Sequence, residues 1–336
     1  MRYVFIANPK AGAGKGFNKY KDRLVTACEK MGVPYKFMLT RSGSDLTDFA
    51  RSEGEKGDEV RIIVLGGDGG ICGAANGIIG MENVEFGIIP CGSGNDYVKT
   101  FGGAKGFEDI EHYLTAPSRY VDAIDTGHFA SVNICSMGID AMICDRTNRM
   151  IRAKKLLGSG TYTLAVLISM LGKVYNTLKV TIDDSEVYEG EFMFSLAACG
   201  QYYGGGYRGA PMADPSDGLL DFVMIKRVSK LKMARLLGEY KSGSYPDSKK
   251  FEGLLTVKRG RKMKIESAKP AIVNIDGECL TLSEVTFEVI PKALRLIVND
   301  TENLFSRKII YIKTKQRRCS IWKNISEPMP RLTLQP

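Results

Sequence analysis

Histidine is nearly absent from this 336-residue chain: there are two, His112 and His128, and neither lies in the glycine loops at 8–16, 66–70 or 90–96. A Ser-His-Asp or Cys-His nucleophile therefore has little material, and a proton acceptor at any reaction centre is expected to be a carboxylate. The eight cysteines are scattered with no C-x-x-C pair. That excludes a zinc-finger spacing and reads as reduced thiols, not a disulfide frame. Long apolar runs are missing too. The longest near mid-chain, Leu164–Leu171, falls well short of the roughly 20 residues that a spanning helix needs. Met1–Ala7 enters a strand-like pattern at once, where a signal peptide would carry a charged n-region and an h-region, so a cytoplasmic location is expected. There is no internal repeat and no low-complexity linker.

Glycine is what the chain does have, with 37 residues. The stretch Ile62-Ile-Val-Leu-Gly-Gly-Asp-Gly-Gly70 is a strand of the doubly covered, parallel type that stops in Gly66, Gly67, Gly69 and Gly70 around Asp68. Such a turn lets the backbone approach a ligand without Cβ interference and points N–H groups at phosphate oxygens. A carboxylate among those amides fits a metal-holding or donor-ordering role; the alternative is a tight strand-to-helix turn. Two familiar glycine motifs fail here. A P-loop around Gly14-Lys15 would need glycine at Pro9 and Ser or Thr at Gly16, and the dinucleotide fingerprint would need glycine at Cys72.

The length suits about two domains of roughly 150 residues each, and 44% hydrophobic with 25% charged residues is ordinary for a globular protein. Charge is placed unevenly. Residues 301–336 hold eight Lys or Arg against two acids, mixed with apolar anchors that include the only tryptophan, Trp322. That mixture suits either docking on an anionic membrane surface or a solvated terminus. No nucleic-acid recognition motif accompanies the charge, and no nucleic-acid partner is expected.

Strand-like runs at Tyr3–Ala7, Val60–Leu65 and Phe86–Ile89 alternate with helix-length segments at Phe17–Met31, Leu46–Glu53 and Ile71–Ile79. This pattern predicts a parallel α/β sheet, with ligands at the C-terminal strand ends. The loops 8–16, 66–70 and 90–96 all fall on that edge. In the third, Pro90-Cys-Gly-Ser-Gly-Asn-Asp96, Ser93 offers a hydroxyl to a phosphate, and Asn95 or Asp96 can cap a helix. From about Asp125 the character changes to short strands, including Lys179–Ile182, Glu191–Ala198, Leu219–Ile225, Met263–Ile265, Ala271–Ile275 and Val285–Val289, interrupted by a helical stretch at Ala153–Val174. An antiparallel β domain is expected there. The predicted divisions are an α/β domain over 1–123, to which the chain returns near 295–312, a β domain over 124–294, and the basic tail 301–336.

Two further segments carry carboxylates. Asp214 and Asp217 stand three apart in a Pro/Gly turn, either as hard-oxygen ligands with a nearby carbonyl or as an Asx-bonded turn. Asp276 and Glu278 flank Gly277, an Asp-Gly pair of the type I′ hairpin kind whose carboxylate is equally placed to act as a general base.

Taken in order, these elements resemble the diacylglycerol kinase catalytic-domain family, in its bacterial soluble lipid-kinase branch, related to sphingosine and ceramide kinases. The resemblance covers about residues 1–298. It rests on Asn8-Pro-Lys, Gly-Gly-Asp-Gly at 66–69, Pro-x-Gly-Ser-Gly-Asn-Asp at 90–96, Asp122, Gly138-Ile-Asp-Ala141, Tyr203-Gly-Gly-Gly206, Ala210-Pro, Asp217-Gly-Leu-Leu-Asp221 and Asp276-Gly-Glu278. The resemblance implies an NAD-kinase-like N-terminal nucleotide domain, a C-terminal β-sandwich, and transfer of the ATP γ-phosphoryl group to the hydroxyl of diacylglycerol or a related membrane lipid alcohol. It further implies nucleotide contacts from Asn8, Thr40, Gly66, Gly67, Asp68, Gly69, Gly70, Ser93 and Glu278, with Asp276 as general base. Asp68 and Asp122 would belong to the network around a catalytic Mg²⁺, and Asp214, Asp217 and the Leu219 carbonyl would hold a structural Mg²⁺. Reversible membrane contact and a homodimer are also expected.

The chain departs from the family pattern after Gly-Gly-Asp-Gly, where Thr, an apolar residue, Asn and Glu ordinarily follow; here they are Gly70, Ile71, Cys72 and Gly73. Cys199-Gly200 likewise replaces Asn-Gly. Two rival readings follow: a degenerate member that binds nucleotide or lipid without transfer, and an NAD-kinase-like enzyme acting on a soluble substrate.

Overall fold

The computed structural model describes residues 1–9, 16–41, 44–103, 109–152, 172 and 174–298. The basic tail, most of the first glycine loop, and almost all of the helical stretch expected over 153–174 lie outside the described residues.

The N-terminal part alternates as expected: β1 (Arg2–Ala7), α1 (Gly16–Met31), β2 (Tyr35–Leu39), α2 (Ser44–Gly54), β3 (Val60–Gly66), α3 (Asp68–Ile78) and β4 (Val84–Pro90). Strands β2, β1, β3 and β4 are parallel neighbours in that order. Every residue of β3 is buried, which is why its sequence is continuously apolar and does not alternate. The short helices α4 (Asp96–Lys99) and α5 (Ile110–Thr115) lead to β5 (Ser118–Asp125).

The remainder is an antiparallel, sandwich-like β structure of β6 (Ile134–Gly138), β7 (Asn176–Ile182), β8 (Glu186–Ala198), β9 (Leu220–Lys226), β10 (Leu255–Gly260), β11 (Lys262–Ile275) and β12 (Glu278–Ile297). Helix α6 (Ile139–Arg152) and helix α7 (Lys230–Ser242) are added to it. Strand period decides which core each side chain enters. Along β9, Leu220, Phe222 and Met224 join the core between the β layers, whereas Val223 and Ile225 join the outer cluster with residues of α6 and α7.

The 20-residue strand β12 ties the two parts together. Its first half pairs antiparallel with β11; from Glu288 it pairs antiparallel with β5, through a register shift between Ile290 and Leu294, and at Arg295 and Leu296 it also pairs parallel with β4. Ala293–Val298 consequently belong to the N-terminal core. Two expected strands, at 263–265 and 271–275, are one bulged strand, with the shift between Glu266 and Ala271.

Candidate functional site

The parallel register places the ends of β1, β3 and β4 side by side, with Ala7 opposite Leu65 and Gly66 opposite Pro90. Asn8, the 66–70 loop and the 90–96 loop therefore share one edge. Thr40 joins them from β2, buried, with its backbone N–H donating to the Ala7 carbonyl at 3.0 Å. Ser93 and Gly69 are exposed on the same edge.

Two glycines make the loops meet. A Cβ on Gly67 would stand 2.9 Å from the Gly92 Cα, and one on Gly92 would stand 2.4 Å from the Gly67 Cα, so the backbones cross where no side chain fits. Asn95 closes the crossing by accepting from the Gly92 N–H at 2.9 Å and donating back to the Gly92 carbonyl at 2.9 Å. Asn95 does not cap α4 through its side chain. The Asp68 carboxylate takes that task from the neighbouring loop, accepting the Tyr97 N–H at 3.0 Å. Burial pushes its carboxyl up, and the amides of α4 oppose that shift. Asp96, also buried, accepts from Lys99 Nζ at 2.5 Å and from the Gly205 N–H at 2.7 Å, which fastens the Tyr203–Gly206 loop to this edge.

Asp276 arrives from the opposite side. The β11–β12 hairpin turns through Asp276 (φ +46°) and Gly277 (φ +98°), both left-handed, as a type I′ turn requires. Its carboxylate accepts from Ser131 Oγ at 2.7 Å, the Val132 N–H at 2.7 Å and the Ile134 N–H at 3.0 Å. Burial raises the Asp276 carboxyl, and these donors counter the rise. The thiol of Cys72, on α3, donates to the Ala130 carbonyl at 3.5 Å, next to the Ser131–Ile134 segment that holds Asp276; burial, then the charge of Asp276, push Cys72 up. Asn76, one turn along α3, locks the same loop by donating to the Ala130 carbonyl at 2.8 Å and accepting from its N–H at 2.8 Å. Glu278 is exposed beside the hairpin, with its charge felt at Cys72. The Tyr97 hydroxyl is fully buried and without a hydrogen-bond partner; burial, then the charges of Cys199, Asp276 and Asp122, push it far up.

Asp122 is held by backbone alone, accepting from the Lys292 N–H at 2.8 Å and the Gly218 N–H at 2.8 Å. It thereby anchors the aspartate turn to β12. In that turn the Asx bonds are present: Ser216 N–H to Asp214 at 3.0 Å and Leu219 N–H to Asp217 at 3.1 Å. Arg259 on β10 bonds Asp217 and, at 2.7 Å, Asp221. Burial pushes Asp221 up to about 6 and also raises Asp217 and Asp122. The second oxygen of Asp221 is buried without a partner. Four carboxylates thus gather around one guanidinium. Among the described residues, no three His, Cys, Asp or Glu side chains converge on one metal position; a set of Asp214, Asp217 and the Leu219 carbonyl needs only two.

Beyond the Tyr203 loop opens an apolar pocket of about 760 Å³ including its mouth, lined by Ile143, Phe194, Met233, Leu237 and others. Its one acid is Asp140, which accepts from the Tyr203 hydroxyl at 3.3 Å and is pushed up to about 6 by burial. Cys72, Asn76, Tyr97, Asp140 and Arg259 carry no role in the sequence reading. Their partners are remote in the chain, and only the Gly138-Ile-Asp-Ala motif signals one of them.

Two family models match this chain: the diacylglycerol kinase catalytic domain over residues 2–130 and the YegS C-terminal NAD kinase beta sandwich-like domain over residues 133–298. Among curated proteins it is similar to a "Probable lipid kinase YegS-like" of Chromohalobacter salexigens, 28% identical over 80% of this chain and 86% of that one. It is also similar to a diacylglycerol kinase of Mycobacterium tuberculosis, 25% identical over 87% and 93%. A crystal structure of a diacylglycerol kinase from Bacillus anthracis superimposes with a TM-score of 0.66 over 88% of this chain and 96% of that one, at 21% identity.

Proposed function

The chain belongs to the diacylglycerol kinase catalytic-domain family of lipid kinases, and from that premise we propose that it transfers the ATP γ-phosphoryl group to the hydroxyl of diacylglycerol or a closely related lipid alcohol. The observation that carries this reading is the meeting of Asp276 with α3. Cys72 and Asn76 of α3 bond Ala130, and the adjoining Ser131, Val132 and Ile134 donate to Asp276. The hairpin carboxylate thus stands beside the helix that begins at the Gly67–Gly70 turn, and a proton acceptor and a phosphate-type cradle share one cleft.

In this scheme the amides of Gly67–Gly70 and the exposed Ser93 hydroxyl hold the nucleotide phosphates, with Asn8 and Thr40 on the same edge. The lipid hydroxyl oxygen bonds to the γ-phosphorus as the bond from that phosphorus to the β–γ bridging oxygen breaks, releasing ADP. The hydroxyl proton passes to Asp276. A loose transition state asks for little prior deprotonation, so a well-oriented carboxylate suffices. Its three donors fix that orientation. Mg²⁺, when bound, supplies charge neutralisation at the phosphates; Asp68 is the carboxylate on this edge that would hold it, with Asp122 behind. Asp214, Asp217 and the Leu219 carbonyl would hold a second, structural ion. The apolar pocket beside Asp140 suits an acyl chain.

Radiolabelled ATP offered with mixed lipid vesicles tests the reading. Label in the lipid fraction, lost in Asp276→Asn, supports it. ATP binding by calorimetry without transfer would instead identify a binding protein, the outcome that Gly70, Cys72 and Gly73 favour. Label only on added NAD would identify an NAD kinase.

A further inference from the structure

Helix α7 presents two unlike faces. Met233, Leu236, Leu237 and Tyr240 line the apolar pocket. Lys230, Leu231, Lys232, Ala234, Arg235 and Lys241 face solvent. Leu231 is 63% exposed, the largest exposure of any large apolar side chain among the described residues. Ala234 is exposed and also lines the pocket, so the mouth opens along this helix. From residue 226 to 250 the chain carries eight Lys or Arg against two acids. Some of these cations are answered: Arg227 pairs with Glu191, and Lys250 with Glu239. Lys226, Lys232, Arg235, Lys241 and Lys249 are exposed as well, three of them on α7 itself.

We propose that the outer face of α7 is a docking surface for an anionic lipid bilayer, with Leu231 entering the headgroup region and Lys232 and Arg235 lying against acidic headgroups. The proposal rests on the lipid-kinase reading above and adds to it the place where the membrane sits. An exposed leucine ringed by cations is the pattern of an interfacial helix: apolar area gives insertion, and each cation adds attraction to an anionic surface. Position supplies the rest. A lipid leaving the bilayer at α7 meets the apolar pocket on the inner side of the same helix without crossing water.

The test is co-sedimentation of the full chain, without nucleotide, with vesicles of phosphatidylcholine alone or mixed with phosphatidylglycerol. Wild type should bind the mixed vesicles much more strongly. Lys232→Glu/Arg235→Glu should lose about tenfold or more of that affinity, and Leu231→Ser several-fold on both compositions. Both variants should keep wild-type circular dichroism and wild-type rates on short-chain diacylglycerol dissolved as monomers. Wild-type sedimentation of both variants overturns the proposal, as does loss of binding confined to a tail variant, Arg317→Glu/Arg318→Glu. Absence of phosphorylation of monomeric diacylglycerol by wild type would sink the kinase reading, yet leave the vesicle comparison fully able to judge the docking face.

Discussion

The molecule carries two groups of carboxylates whose neutralisation differs. On the glycine-loop side, Asp68 and Asp276 are held by backbone amides and, for Asp276, the Ser131 hydroxyl, while Lys99 pairs with Asp96 and its charge also reaches Asp68. Around Arg259, Asp217 and Asp221 share a guanidinium built into β10, and Asp122 is locked by backbone on both oxygens. Dipolar donors orient a carboxylate while leaving its charge for a ligand, whereas a guanidinium cancels much of it. In the proposed reaction the first group would do the chemistry, and the second would serve mainly architecture.

That contrast breaks most clearly at the two central residues. Asp276→Asn keeps the hairpin shape but removes the proton acceptor. Lipid phosphorylation should fall by about 10²- to 10⁴-fold while ATP affinity by calorimetry stays put; a lesser loss would move Asp276 into the architectural group. Arg259→Met should leave the reaction centre intact but strand Asp221 as a buried charge, lowering unfolding free energy in urea by about 3–5 kcal/mol. If activity fell more than stability, the division would fail.

The glycine crossing gives a smaller, paired test. Gly92→Ala puts a methyl 2.4 Å from the Gly67 backbone and should cost about 1–3 kcal/mol. Gly69→Ala meets nothing within 4 Å and should leave the melting temperature unchanged. At Gly70 the first atom of an added side chain meets only Val64 and Leu46, at 3.8 and 3.9 Å, which makes Gly70→Thr the companion variant. Any gain in ATP affinity would then report the hydroxyl missing from this loop.

The smallest effect is a pH slope. Asp140 is raised from 3.8 to about 6 in the folded protein. Between those values the folded state holds more protons than the unfolded one, so stability falls as pH rises. The melting temperature should decline across about pH 4–6, and less steeply in Asp140→Asn.

Much of this was legible in the residues. Continuous burial wrote β3 as an apolar run, and Asp276-Gly277 announced its own turn. The edge strand β2 escaped because its side chains are mostly half-exposed and include Lys36, which breaks the apolar signal. Helix α7 shows apolar residues at 233, 236, 237 and 240, a helical spacing hidden among recurring strand signals. The bonds of Cys72 and Asn76 to Ala130 and the reach of Arg259 to Asp217 and Asp221 depend on how distant elements pack. No local pattern encodes them.

Strand β12 sets the order in which this protein is able to fold. β4 and β5 both wait for residues 294–297 to complete their pairing, so the nucleotide-side core closes only after nearly all described residues have been synthesised. Such long sequence separation slows folding and lengthens the time that strand edges stay open to other chains. A nascent chain stalled before Ala293 would present β4 unpaired on one side. Chaperone demand should therefore peak late in synthesis, not when the first domain emerges.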